Sequence, residues 1–110
     1  MITVVVFKNK QNQIIRFTVK GHAGFAESGS DIVCAAVTTA AMTAVNGLTD
    51  VANIAMEPHV ASGYVDCVLP SVLSVQERHD ADVILNSMML TFDNLAELYA
   101  DYICIKTMNE

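Results

Sequence analysis

Basic residues are scarce in this chain: Lys and Arg total 6 against 12 Asp and Glu, for a formal net charge of -6. No cluster of cations is present to neutralise several phosphates together, so direct nucleic-acid binding is not expected. Charged residues of both signs make up only 16% while hydrophobic ones reach 53%, which excludes disordered and collagen-like chains. No uncharged apolar stretch is read as approaching the roughly 18 residues that span a bilayer, and the apolar run in MITVVVFKNK is too short for the central region of a signal peptide. The expectation is a soluble, cytoplasmic protein with no membrane partner. Cysteine is sparse and odd in number, at Cys34, Cys67 and Cys104, which suits a reducing compartment rather than a disulfide framework. With no Cys-x-x-Cys or His-x-x-x-His spacing, no metal is expected, and His59 and His79 read as solvated side chains. A phosphate loop, a dinucleotide fingerprint and a Gly-x-Ser-x-Gly elbow are also missing, so no cofactor is expected.

What is present fits one domain over 1–110, since 110 residues support a single core. Ile2 to Phe7 and Ile14 to Val19 read as strands, the second by its alternation of Ile15, Phe17 and Val19 with polar neighbours. Lys8 to Gln13 is their turn. Asp31 is an N-cap for a helix over about 32–48 that has almost no polar face and should pack across a sheet. Ile54 to Val60 and Tyr64 to Leu69 form a second hairpin around Ala61-Ser62-Gly63. Ser74 and Glu77 make a capping box for a helix over about 75–100, whose apolar stripe is Ala81, Leu85, Met88, Phe92, Leu95 and Tyr99. A strand over Tyr102 to Met108 completes an α+β fold of order ββαββαβ, two helices on a mainly antiparallel sheet.

The candidate chemistry lies between the second strand and the first helix. Cys34 occupies the first helical turn, where free amides and the helix dipole favour a thiolate. Its bland alternative is a small apolar side chain, as Cys67 and Cys104 are read to be in their strands. His22 ends the strand and opens the glycine-bearing stretch Ala23 to Ser30. Alone it is a surface histidine, but beside Cys34 it supplies a general base, with the helix amides as oxyanion donors. Thr38 shares the helical face of Cys34, although a hydroxyl there more often bonds back to the backbone. Asp31 is a candidate to orient His22, except that capping already engages its oxygens.

At GHAGFAESGSDIVCAAVT, residues 21–38, the chain resembles the ribosomal-processing cysteine protease family called Prp. The resemblance rests on Gly21-His22-Ala23-Gly24, Gly29 and Asp31-Ile32-Val33-Cys34-Ala35, and its length and element order extend it over the whole chain. It implies a peptidase that removes the N-terminal extension of a large-subunit ribosomal protein, number twenty-seven. Cys34 then matches the nucleophile and His22 the general base, with Gly21 and Asp31 in supporting positions. The resemblance further implies a homodimer and a mobile loop over the site, about Ala23 to Ser30, that would include Ala23, Gly24 and Gly29. Thr38 stands where a Ser is expected, keeping the hydroxyl and adding a methyl. Two other readings compete: a non-catalytic, ribosome-associated peptide-binding module, for which Cys34 is dispensable, and a redox-sensing or acyl-transferring thiol, for which His22 is dispensable.

Overall fold

A computed structural model describes residues 1–27 and 31–110. Five strands form one sheet, β1 (Ile2–Lys8), β2 (Ile14–Lys20), β3 (His59–Ala61), β4 (Tyr64–Val68) and β5 (Ile103–Asn109), with helices α1 (Ile32–Asn46) and α2 (Val75–Leu98) between them. The spatial order is β3-β4-β2-β1-β5. Every pairing is antiparallel except β1 with β5, which is parallel. The sequence pattern therefore yields the expected ββαββαβ order.

Strand parity assigns the two faces. Ile2, Val4 and Val6 of β1 are buried, as are Phe17 and Val19 of β2 and Val65 and Cys67 of β4. Their alternates Thr3, Val5 and Phe7 are only half-buried and pair with Lys20, Thr18 and Arg16. The helices cover the first face alone, an arrangement open to an antiparallel sheet. On the open face the Arg16 guanidinium forms a bidentate pair with Asp66, Nε to Oδ1 at 2.9 Å and Nη2 to Oδ2 at 2.8 Å, and it lies 4.8 Å from the Phe7 ring centre. The Asp66 carboxyl is held below its ordinary range chiefly by the hydrogen bond from Arg16.

Four expectations need correction. The strand expected over Ile54 to Val60 is reduced to His59–Ala61. Asn53 adopts a left-handed φ of 56°, Ile54 donates its amide to Leu48 and Pro58 has none to give. The first helix, expected over about 32–48, does not stop there but widens into a π-helical turn over Gly47–Val51, burying Leu48 completely. Its sequence has almost no polar face, yet only Val33, Val37, Ala41, Ala44 and Val45 are buried; Ile32, Ala35, Thr39 and Thr43 are exposed. Finally, Ile32–Val51 does reach the length and composition of a membrane-crossing helix, because small apolar residues replace charges along both of its sides.

The second helix begins as expected. Ser74 Oγ accepts from the Glu77 amide at 3.1 Å and Glu77 Oε1 accepts from the Ser74 amide at 2.9 Å, and Ala81, Leu85, Met88 and Phe92 are its buried residues. Leu95 and Tyr99 pack at the margin of the core.

Candidate active site

Two backbone features bring the ends of the 21–38 segment together. The amide of Gly21 donates to the carbonyl of Gly63 at 2.9 Å, continuing the β2–β4 ladder one residue past Lys20 and Tyr64. Gly21 has φ +95°, and a Cβ there would stand 2.6 Å from the Met1 carbonyl oxygen. Only glycine lets the chain leave the sheet at this angle and this proximity. His22 is consequently exposed at the mouth of a cleft.

Opposite it, Asp31 caps α1. Oδ1 accepts from the amides of Val33 at 3.0 Å and Cys34 at 2.9 Å, while Oδ2 accepts from Phe25 at 3.0 Å and Ala26 at 3.3 Å. One carboxylate thus fastens the helix start and the chain leaving His22. These amides, led by that of Cys34, hold the Asp31 carboxyl below the ordinary carboxylate range. The Cys34 Sγ is half-buried and accepts from the Ala23 amide at 3.1 Å. His22, Cys34 and Thr38 share the wall of a cleft of about 640 Å³ with Gly24, Ala26, Asp31 and Ser62. A second cavity of about 270 Å³ adjoins the same three side chains and is floored by Val19, Val37 and Val65, with Val60 and Gly63 at its side.

The structure therefore gathers His22, Cys34 and Thr38 into one cleft and places Gly21, Ala23, Gly24 and Asp31 at its margin. Gly29 lies outside the described residues, as does the 28–30 part of the expected loop. Among the described residues, no hydrogen bond joins His22 to Cys34 or to Asp31, so Asp31 acts on the backbone and not on the imidazole. The Thr38 hydroxyl has no partner among them either, whereas Thr39, Thr43 and Thr49 bond back along their helix. The expected pool of free amides is also smaller than the sequence suggests. Val33 and Cys34 give theirs to the Asp31 carboxylate and Ala35 donates to the Asp31 carbonyl, while the Ala23 amide is aimed at the sulfur.

Three contributions were invisible in the sequence. Ala23 acts through its backbone, which no residue type announces. Ser62 and Gly63 come from a hairpin 40 residues away, and only the β2–β4 register places them here. Phe25 meets the rings of Tyr99 and Tyr102 edge-on, at centroid distances of 6.0 and 5.2 Å, anchoring the chain after His22 to the far end of α2.

The other thiols are set apart by burial. Cys67 is wholly buried, and loss of solvation, with a smaller effect from Asp66, pushes its thiol up to about 12. Cys104 does not enter the core as its strand position suggested. It pairs with Thr3 on the open face and is half-buried. In the folded protein at pH 8, iodoacetamide therefore labels Cys34 and Cys104 and leaves Cys67 unmodified until denaturant is added; mass spectrometry of tryptic peptides checks this.

Acid stability reports on Asp31. Its folded-state pKa lies below the unfolded one, so its contribution is present above the unfolded value of 3.8 and is lost as pH falls through the folded one. Asp31→Asn keeps a capping oxygen but turns an amide toward the Phe25 and Ala26 donors. We expect a Tm several degrees below wild type at pH 7 and a difference that shrinks below pH 4, read by thermal melts across pH.

Another cavity, about 820 Å³, lies between the two helices, lined by residues such as Ala36, Ala40, Thr43, Gly47, Ile84 and Met88, none of which titrates.

A family model described as cysteine protease Prp matches residues 1–104. The ribosomal processing cysteine protease Prp of Bacillus subtilis (strain 168) is 30% identical over 111 aligned positions, covering 97% of each chain. The S. aureus ribosomal processing protease Prp, crystallised with a covalently linked product peptide, is similar with a TM-score of 0.87 at 23% identity, covering 97% of this chain and 99% of that one. A Streptococcus mutans protein is similar with a TM-score of 0.78 at 28% identity, over 100% of this chain and 96% of its own.

Proposed function

The chain belongs to the cysteine protease Prp family and is a cysteine peptidase, and on that premise we propose that it removes the N-terminal extension of large-subunit ribosomal protein twenty-seven, using Cys34 as nucleophile and His22 as general base and acid. The observation that carries this reading is the shared cleft of His22 and Cys34, with the Ala23 amide at the sulfur. His22 takes the Sγ proton as the sulfur attacks the scissile carbonyl carbon. It returns that proton to the departing amine as the C–N bond breaks, leaving a thioester on Cys34. Water, deprotonated by His22, then attacks the thioester, and the carboxylate product leaves as the thiol re-forms. The Ala23 amide, released from the sulfur as negative charge moves to the carbonyl oxygen, is placed to receive that oxyanion. Asp31 and Gly21 hold this geometry through backbone hydrogen bonds.

The substrate class has its own support. The cavity floored by Val19, Val37 and Val65 suits an apolar side chain of an extension, and an acidic protease attracts a basic ribosomal protein. The apolar groove between α1 and α2 supports a homodimer, and three free thiols suit the reducing cytoplasm. The test is incubation of the purified protein with the full-length ribosomal precursor, followed by intact-mass analysis. We expect a single cut that exposes the mature N-terminus, and a rate on the order of 10²–10⁴-fold lower for His22→Ala. An undiminished rate in that variant would reject the dyad.

A further inference from the structure

Gly63 lies in the β3–β4 turn, distant in sequence from every residue of the 21–38 segment, yet it meets that segment twice. Its carbonyl accepts the Gly21 amide at 2.9 Å, fixing the backbone that leads into His22. Its Cα lies under the imidazole so closely that an added Cβ would sit 2.7 Å from Nε2 and 2.9 Å from Cε1 of His22. The missing side chain is thus the space the ring occupies. Gly63 also has φ +67°, a conformation that explains a glycine by itself, so the two demands must be told apart. Asparagine separates them, since this chain already holds Asn12 at φ 62° and Asn53 at φ 56°. An Asn at position 63 satisfies the turn but brings the Cβ.

We infer that Gly63 is a positioning residue for the proposed base: the bare Cα of the β3–β4 turn is the bed that sets the His22 imidazole at the cleft beside Cys34. This rests on the reading of His22 as the base. Any side chain at position 63 displaces the ring from this bed and, because Gly63 also borders the cavity over Val19, Val37 and Val65, narrows that cavity as well. The signature is a loss in kcat that disappears once His22 is removed.

The experiment measures kcat, KM and Tm for the full chain as wild type, Gly63→Asn, His22→Ala and the double variant, with a fluorogenic peptide spanning the extension junction. Gly63→Asn should lower kcat on the order of 10²-fold, the effect of displacing a catalytic group by about 1 Å. The double variant should be no slower than His22→Ala. In melting, Gly63→Asn should cost less Tm in the His22→Ala background than in wild type, because the clash is with the ring. Gly63→Ala provides the same Cβ without the amide and should show the same coupling. A Gly63→Asn variant with wild-type kcat, or an equal Tm loss in both backgrounds, overturns the assignment of Gly63 while leaving the dyad standing. A His22→Ala variant with wild-type kcat overturns the dyad, and the assignment with it.

Discussion

Replacing Cys34 by Ala should lower peptide cleavage by on the order of 10⁴-fold or more while the fold persists. The size follows from the proposed role, since a nucleophile cannot be replaced by its neighbours: loss of a covalent nucleophile leaves only binding and oxyanion stabilisation. The modest structural cost follows from the surroundings. The sulfur is half-buried, and its one hydrogen bond among the described residues comes from the Ala23 amide; freeing that amide costs about 1 kcal/mol. Helix capping is unaffected, because the Asp31 cap accepts the backbone amide of residue 34, which Ala retains. Cleavage assays alongside thermal melts separate the two effects. A chain that loses activity only in proportion to lost folded protein would contradict the nucleophilic role, as would Cys34→Ala with activity near wild type.

Phe17→Ala should be the most damaging single change to stability. Phe17 is completely buried in the central strand β2, where it pairs with Val6 on one side and Cys67 on the other. Truncation of a buried phenylalanine costs about 3–5 kcal/mol, against a total of about 5–15 kcal/mol for a domain. In Tm this corresponds to a fall of more than about 12 °C. The loss should also reach the cleft, because Phe17 lies three residues from Lys20, the last strand residue before the turn to His22. Denaturant titration gives the free energy, and a loss under about 1 kcal/mol would mean that the core around β2 refills the space.

Much of the fold could be read from the chain because period and capping agreed. The two long helices announced themselves through Asp31 and through Ser74 with Glu77, and the alternation in β2 gave its face. Where local signals conflicted, tertiary contacts decided. Ile54 to Val60 carries strand-forming residues, yet Asn53 and Pro58 break it, and the Ile54 amide goes to Leu48 instead of a strand partner. The helix over Ile32–Val51 has no charge until Asp50, so its sequence gives no sign of which side faces the sheet. The gathering of His22 and Cys34 was legible because only eleven residues, three of them glycine, separate a strand end from a helix start. The contribution of Gly63 was not, since it depends on the register between β2 and β4.

The one-sided sheet divides the molecule into a working half and an inert half. Along β1, attachment chemistry belongs at Thr3, Val5 and Phe7 and is forbidden at the positions between them. A spectroscopic probe or a surface tether fixed there would hold the protein by its back, with the cleft facing the solution.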